Sequence, residues 1–417
     1  MKYLQLSNYT KNISMLSIGS FFGQVTGFFG SILMTRFYPK NEIGAMMLII
    51  SITGMVIPVV NCKLDYAIVK EKDKKLVYPL IILALLVGLL VSVFTSILSA
   101  FYLNTKKEII SIYLSVSTIF LILFLNVFTN VFRSYNNRID DYNTMTFVLV
   151  KRKLAEDACL IVGGLLSPTY FTLLFSKVIG QFFAIKQEGR NLFKHFHKIF
   201  LVNKQIMRFA FNKHKKQVYY SMPAALMNSA SYSLIGLFIG ELYGLETLAV
   251  YSISFSVLGF PLSIISGNIS KVYFSEAAKE YSNTGSFIKS THKTIKVLFS
   301  LSIFVYIGMY YIIPFCVPIV YGPEYYLAGK YIKIMSNMFI IRFITSSIAT
   351  GMIVANKQEF DAILQFGFLL VSILTYYYAL SNNLTIHDFL MVFSLGYATI
   401  YLVYFLMVYN LSKMKFR

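Results

Sequence analysis

"FVLVKRKLAEDACLIVGG", residues 147–164, is apolar at both ends and carries Lys151, Arg152, Lys153, Glu156 and Asp157 in its middle. Whether such a segment crosses a membrane decides the fold, and the rest of the chain supplies the context. Of 417 residues, 57% are hydrophobic and 13% charged, against about 25% charged in a soluble domain. Apolar runs of about 20 residues, the length that spans a bilayer, recur along the whole chain. They lack the apolar–polar alternation of a membrane β-barrel. The composition therefore predicts an all-α polytopic membrane protein.

Twelve spans are expected, near 13–37, 43–62, 77–103, 109–132, 144–166, 169–185, 219–240, 249–270, 295–319, 331–354, 360–380 and 388–410. The first has no small-residue cleavage site and reads as a retained span rather than a signal peptide. Twelve spans place both termini on one side. That side, with the even-numbered connections and Lys151–Lys153, holds 30 of the 38 basic residues. The other side holds Arg36, Lys40, Lys106, Lys107, Lys330 and Lys333. Since Lys and Arg are retained in the cytoplasm, both termini are expected there, in a bacterial inner (plasma) membrane.

The net charge of +20 is thus a topology signal, dispersed over short loops, and does not point to nucleic acid. Outer connections are too short for a soluble catalytic domain. Cys62, Cys159 and Cys316 form no spaced pair and read as small apolar residues. His195 and His197 sit in a basic loop and read as solvated. The longest connection, 186–218, is basic and amphipathic (Phe193, Phe196, Phe200, Ile206, Phe209), fit to lie on an anionic inner leaflet.

The sequence echoes itself at an offset of 205 residues: "FYPKNEIGAMM" from Phe37 against "LYGLETLAVYS" from Leu242. "NRID" from Asn137 pairs with "NKQE" from Asn356. Both echoes join corresponding spans in the same orientation. Parallel repeats of this kind are typical of transporters. The expected organisation is an N-terminal six-helix bundle (1–186), a basic cytoplasmic linker (187–218) and a C-terminal six-helix bundle (219–417).

"NCKLDYAIVKEKDKK" (61–75), "SKVIGQFFA" (176–184), "VYGPEYYLAGKYIKIM" (320–335) and "ANKQEF" (355–360) resemble the polysaccharide biosynthesis exporters. These are the O-antigen-type flippases of the multidrug/oligosaccharidyl-lipid/polysaccharide exporter superfamily. The stretch Gly322–Gly329 is the most specific piece. The resemblance implies twelve helices in two six-helix bundles forming a V. It also implies an activity: moving an undecaprenyl-pyrophosphate-linked oligosaccharide, such as a repeat unit of O-antigen in lipopolysaccharide biosynthesis, to the outer leaflet. Many relatives carry arginine at the position of Lys63 and glutamate at that of Asp65. Lysine keeps the charge and loses the bidentate fork suited to phosphate.

Ionised side chains inside a membrane face a partner or a polar cavity. Lys177 lies mid-span in span six and Arg342 mid-span in span ten. Neither has an acid within one turn on its own span. Packing on carbonyls, an interhelical ion pair, or an anion-binding cavity would each account for them. Arg36 closes span one and Lys63 span two; either could snorkel or contact an anionic headgroup. On a helix, Arg152 reaches Glu156 and Lys153 reaches Asp157, two i,i+4 pairs that leave Lys151 in excess. This reading puts the quoted stripe at the inner mouth of the path, as an entrance rather than a binding site. Among 31 tyrosines and the amides Gln24, Asn126, Asn130, Asn228, Asn268 and Asn337, some suit sugar hydroxyls, while most of the tyrosines are expected as interface anchors.

A polyprenyl-linked oligosaccharide is therefore the expected substrate, in contact with membrane lipid, with a polymerase and assembly proteins as further partners. Carrying two negative charges outward releases roughly 4 to 5 kcal/mol per 100 mV. No cofactor is called for; proton or Na⁺ coupling is compatible, with Asp65 the first acid to test. Two alternatives stay open. One is a drug or organic-cation antiporter, which would need buried acids. The other is a polymerase or scaffold of polysaccharide assembly.

Overall fold

A computed structural model describes residues 2–105, 111–194 and 202–414, with side chains from Gly19 onward. Lys106, Lys107, His195, His197, Lys415 and Arg417 lie outside the described residues. The described chain is helical throughout, with no strand among the described residues. It forms two compact units, Met1–Ser233 and Leu234–Arg417.

The first unit contains α1 (Lys2–Phe37), α2 (Lys40–Val56), α3 (Leu64–Lys70), α4 (Lys74–Asn104), α5 (Ile112–Arg138), α6 (Tyr142–Leu166), α7 (Tyr170–Glu188), α8 (Arg190–Phe193) and α9 (Lys204–Lys216). Local chemistry sets their ends. Pro58 stops α2 in a 3₁₀ turn, and the chain then reverses through left-handed Cys62 and Lys63 (φ 48° and 61°). Asp73 caps α4 and Asp141 caps α6, each accepting a backbone N–H of the first turn. Ser167 and Pro168 end α6, and a Thr169/Thr172 capping box starts α7.

The broken end of α2 would leave carbonyls unpaired in an apolar core. Asn130 Nδ2 reaches the Ile57 carbonyl there (3.4 Å), and Asn61, just past the break, ties in the two neighbouring helices. Asn61 Nδ2 donates to the carbonyls of Ala84 (3.1 Å) and Val127 (3.3 Å), and Asn130 donates to Asn61 Oδ1 (3.1 Å). Asn126 donates to Ile122 and Asn268 to Ile264, each to a carbonyl one turn back, while Asn337 accepts from Tyr306. Asn61 and Asn130 tie neighbouring helices together, while Asn126 and Asn268 bond within their own segments.

The stretch 187–218 also differs from expectation. Leu192 of α8 and Ala210 of α9 are buried in a core formed with α3, α4 and α5, so the described part of this connection belongs to the first unit. Glu71, 3% exposed, clips α9 to the α3–α4 turn. It accepts from Lys213 Nζ (2.7 Å) and the Asp73 N–H (2.8 Å), and His214 Nε2 lies 2.7 Å from its other oxygen. Burial alone would raise the Glu71 pKa. The bonds from Lys213, His214 and Asp73 and the charge of Lys213 outweigh it, lowering the carboxyl to about 2.

The second unit begins within α10 (Met222–Pro261), which bends at Gly244, where φ is 83°. It continues through α11 (Gly267–Thr284), α12 (Ile288–Ile307), α13 (Ile313–Tyr321), α14 (Tyr326–Ile348), α15 (Gly351–Val354), α16 (Gln358–Asn382) and α17 (Ile386–Lys413). The repeat is visible in its tyrosines. Tyr38 donates to the carbonyl of Leu160 (2.8 Å) and its counterpart Tyr243 to that of Leu384 (3.0 Å), each within its own unit. The "NRID" and "NKQE" connections each turn through one left-handed residue, Asp140 and Asn356.

Among the described residues, eight stretches are long and apolar enough to cross a membrane, and one of them, Lys204–Thr284, is long enough to cross twice. The segment α6 is not among these, because its five charges fall within any span-length window.

Candidate functional site

The charges of α6 sit at the middle of a 25-residue helix, and both neighbouring helices are shaped to receive them. On one side α1 presents Gly19, Gly23, Gly27 and Gly30 as a stripe of small residues, the pattern that lets membrane helices approach closely. A Cβ at Gly27 would stand 3.3 Å from Lys153 Cε, and one at Gly30 would collide with the Asp157 carboxylate. On the other side Gly180 of α7 brings that helix against α6. Its Cβ would lie 2.9 Å from the Arg152 carbonyl oxygen and 3.0 Å from Glu156 Cβ.

That close approach joins Glu156 to Lys177. Lys177 Nζ lies 2.9 Å and Lys153 Nζ 3.1 Å from the same oxygen, Glu156 Oε1. Glu156 is buried, with 9% of its side chain exposed, while the two lysines keep about a third of theirs open. The i,i+4 neighbours expected from sequence still interact, and the direct contacts of Glu156 are an i,i+3 pair with Lys153 and a bridge between helices to Lys177. Arg152 is placed to interact with both Glu156 and Glu188. The interhelical acid that Lys177 lacked on its own span is Glu156.

The bridge borders a cavity of about 460 Å³. Gly19, Ser20, Gly23 and Gln24 line it from α1 and Thr53 from α2. Arg152, Lys153 and Glu156 line it from α6, and Lys177 and Gln181 from α7. Ile50, Ile57, Ile122 and Leu149 complete an apolar wall. Three cations and one carboxylate line it, with Asp157 and Glu188 as further acids close enough to interact with those cations. The stripe therefore lines an interior chamber at mid-helix, not only a mouth. Among its members Lys151 is exposed and Asp157 faces α1; neither lines the chamber.

The other residues singled out in sequence lie elsewhere. Arg36 is exposed in the last turn of α1. Lys63 lies over the Tyr66 ring, 4.6 Å from its centroid, and Asp65 is buried in the first turn of α3, close enough for the two charges to interact. Arg342 belongs to α14 of the second unit, its guanidinium 5.4 Å from the Phe339 centroid and 5.7 Å from that of Phe255. Arg36, Lys63 and Asp65 of the first unit are not among the residues that line its chamber. Conversely, Gln181 and Thr53 were not singled out. Reflection across the turn at Pro168 could have found the α7 partner, because the residue twelve after it, Gly180, faces the residue twelve before it, Glu156.

Fold and chamber together describe a multi-pass helical membrane protein with a chamber lined by three basic side chains. Residues 33–329 match the family described as polysaccharide biosynthesis protein, and the chain belongs to it. No curated protein matches significantly. Among solved structures, the chain is similar to the lipid II flippase MurJ in an inward closed conformation. That match has TM-score 0.72 and 13% identity, covering 94% of this chain and 86% of that one. A multidrug resistance MATE family transporter of the MOP superfamily, inward-facing, matches with TM-score 0.71 and 13% identity over 96% of each chain. A MOP superfamily transporter from Pyrococcus furiosus, characterised by reverse polarity of its binding pocket, matches with TM-score 0.57 and 13% identity over 97% of each. At these identities the likeness establishes the fold.

Proposed function

We propose that this protein is a flippase rather than an enzyme. Its substrate is a lipid-linked oligosaccharide with an anionic phosphate linkage, of the undecaprenyl-pyrophosphate class that carries O-antigen and related repeat units. It works by alternating access in a bacterial inner membrane, with both termini in the cytoplasm and the polymerase and assembly proteins acting on its product. The observation that carries this reading is the set of three basic side chains, Arg152, Lys153 and Lys177, on the lining of the first unit's chamber. An anionic headgroup cannot enter hydrocarbon, since desolvating it costs far more than thermal energy. Fixed cations replace its hydration, and the polyprenyl tail stays in lipid. Membership in a polysaccharide biosynthesis family supports a sugar-bearing cargo. The three basic lining side chains disfavour a drug or organic-cation antiporter, whose cargo carries the same sign.

Arg36, Lys63 and Arg342 serve in this reading as further headgroup contacts along the route, and Asp65 as the acid for proton or Na⁺ coupling. The test is Arg152→Ala with Lys177→Ala, scored by surface polysaccharide and by the amount of protein in the membrane. Normal insertion with lost output is expected. Full output at wild-type abundance overturns the cationic-chamber mechanism.

A further inference from the structure

Docking of α9 on the first unit fixes which of its faces stays open. Ala210 and, just past the helix, Val218 pack on the core that α3 builds with the first turns of α4, and Glu71 holds Lys213 and His214. A helix turns about 100° per residue, so Lys204, Arg208 and Lys215 fall within about 40° of arc, roughly opposite Ala210. All three are exposed, as is Lys216. The helix contains no Asp or Glu, and of its lysines and arginine only Lys213 meets an acid among the described residues. Like charges one turn apart weaken a helix left in water. An anionic surface opposite the row reverses that sign.

Two further observations say which surface. Phe209, Tyr219 and Tyr220 flank the row and are each more than half exposed. The helix also runs without a break, through a π-helical turn at Gln217–Ser221, into the membrane-spanning α10. Thus α9 lies at the level where headgroups begin, with cations and rings side by side, the composition of a helix held at a bilayer interface. The sequence suggested that role for all of 186–218; burial of Leu192 and Ala210 confines it to one face of α9.

We propose that the open face of α9 is a binding surface for anionic phospholipid, with Lys204, Arg208 and Lys215 on the headgroup phosphates and Phe209 among the acyl chains. From Lys204 to Lys215 the row is about 16 Å long. That exceeds one phosphate and suits a run of neighbouring headgroups. None of these residues lines the chamber, so the surface acts whatever the cargo is. Lipid on one face and Glu71 on the other pin α9 against the ends of α3 and α4.

The experiment is hydrogen–deuterium exchange of the full-length protein in nanodiscs of phosphatidylcholine alone and of phosphatidylcholine mixed with phosphatidylglycerol. Each cation at an anionic surface contributes about fivefold in binding. Amides of 204–216 should therefore exchange about tenfold more slowly in the mixed discs, and high salt should remove the difference. The triple variant Lys204→Gln, Arg208→Gln, Lys215→Gln should exchange alike in both discs, with α6 and α7 unchanged as the report of an intact fold. Replacing Lys204 and Lys215 by arginine should keep the wild-type difference. Equal exchange of wild-type α9 in the two discs overturns the proposal, as does protection that persists in the triple variant. Protection given by inorganic phosphate or polyglutamate and not by phosphatidylglycerol assigns the face to another occupant and overturns it too.

Discussion

Glu156→Gln isolates what one carboxylate does between two lysines. Both bridges end on Glu156 Oε1, at 2.9 and 3.1 Å, so the two ammonium groups lie within about 6 Å of each other, the bridge lengths laid end to end. At an effective dielectric near 20, two unit charges about 6 Å apart repel by about 3 kcal/mol. The lysines are 30% and 31% exposed and can swing into the chamber, so a net loss of about 2 to 3 kcal/mol is expected from the glutamine variant. Lys177→Met should cost less, because Glu156 keeps Lys153.

The decisive measurement is the double variant, Glu156→Gln with Lys177→Met, which removes the repulsion along with its cause. Unfolding in detergent can be followed with a thiol-reactive fluorophore, since Cys62 is free and buried. The single glutamine variant should melt several degrees below wild type, and the double variant should recover most of the loss. Added pyrophosphate should raise the glutamine variant's midpoint more than the wild type's, because the anion takes the place of the missing carboxylate. A double variant no more stable than Glu156→Gln alone would refute the electrostatic account. Equal stabilisation of both proteins by pyrophosphate would show that anions bind somewhere other than this pair.

Two further outcomes are expected. The Glu71 carboxyl is lowered to about 2 from its ordinary 4.5, so the clip on α9 contributes fully above about pH 4.5 and weakens as the pH falls from there toward 2. Proteolysis of the 186–218 connection should accelerate across that window in wild type and be rapid and flat with pH in Glu71→Gln; identical profiles would remove the clip from the argument. Reporter fusions after Lys75, Asn212, Lys279 and Arg417 should report cytoplasm, and those after Lys40, Tyr243, Glu324 and Asn383 the outer side. A cytoplasmic signal at Asn383 would break the twelve-span topology.

The helical fold was legible because it rests on additive properties: apolar runs of span length, proline and capping residues at their ends, and the sign of the loops. The ends of α6 and the start of α7 follow from Asp141, Ser167-Pro168 and Thr169, each acting on its immediate neighbours. The repeat was legible from matching residues in corresponding connections, and Tyr38 and Tyr243 each tie such a connection to a distant carbonyl of the same unit. The uses of the polar groups were not, because a side chain's partner depends on what the fold sets opposite it. Asn126 and Asn130 had the chemistry of sugar ligands and turned to backbone carbonyls and Asn61. Arg342, mid-span like Lys177, lies against two phenyl rings.

The quoted stripe shows why one-dimensional spacing fails at such a site. Along α6 alone, Glu156 and Asp157 each have a basic residue four positions earlier, and mutual screening is the natural conclusion. Glycines at positions 27, 30 and 180 change the outcome by removing side-chain volume on both neighbouring helices. With α1 and α7 drawn in, Asp157 turns to α1, Glu156 to α7, and Lys177 enters from a segment that holds no acid of its own until Glu188 at its end. Glu156 then bridges two lysines on different helices where two i,i+4 pairs along one helix were expected. Ionised side chains at this depth are tolerated where they pair or face a polar cavity, and the glycines, which bear no charge, are what bring Lys177 of α7 to Glu156 of α6.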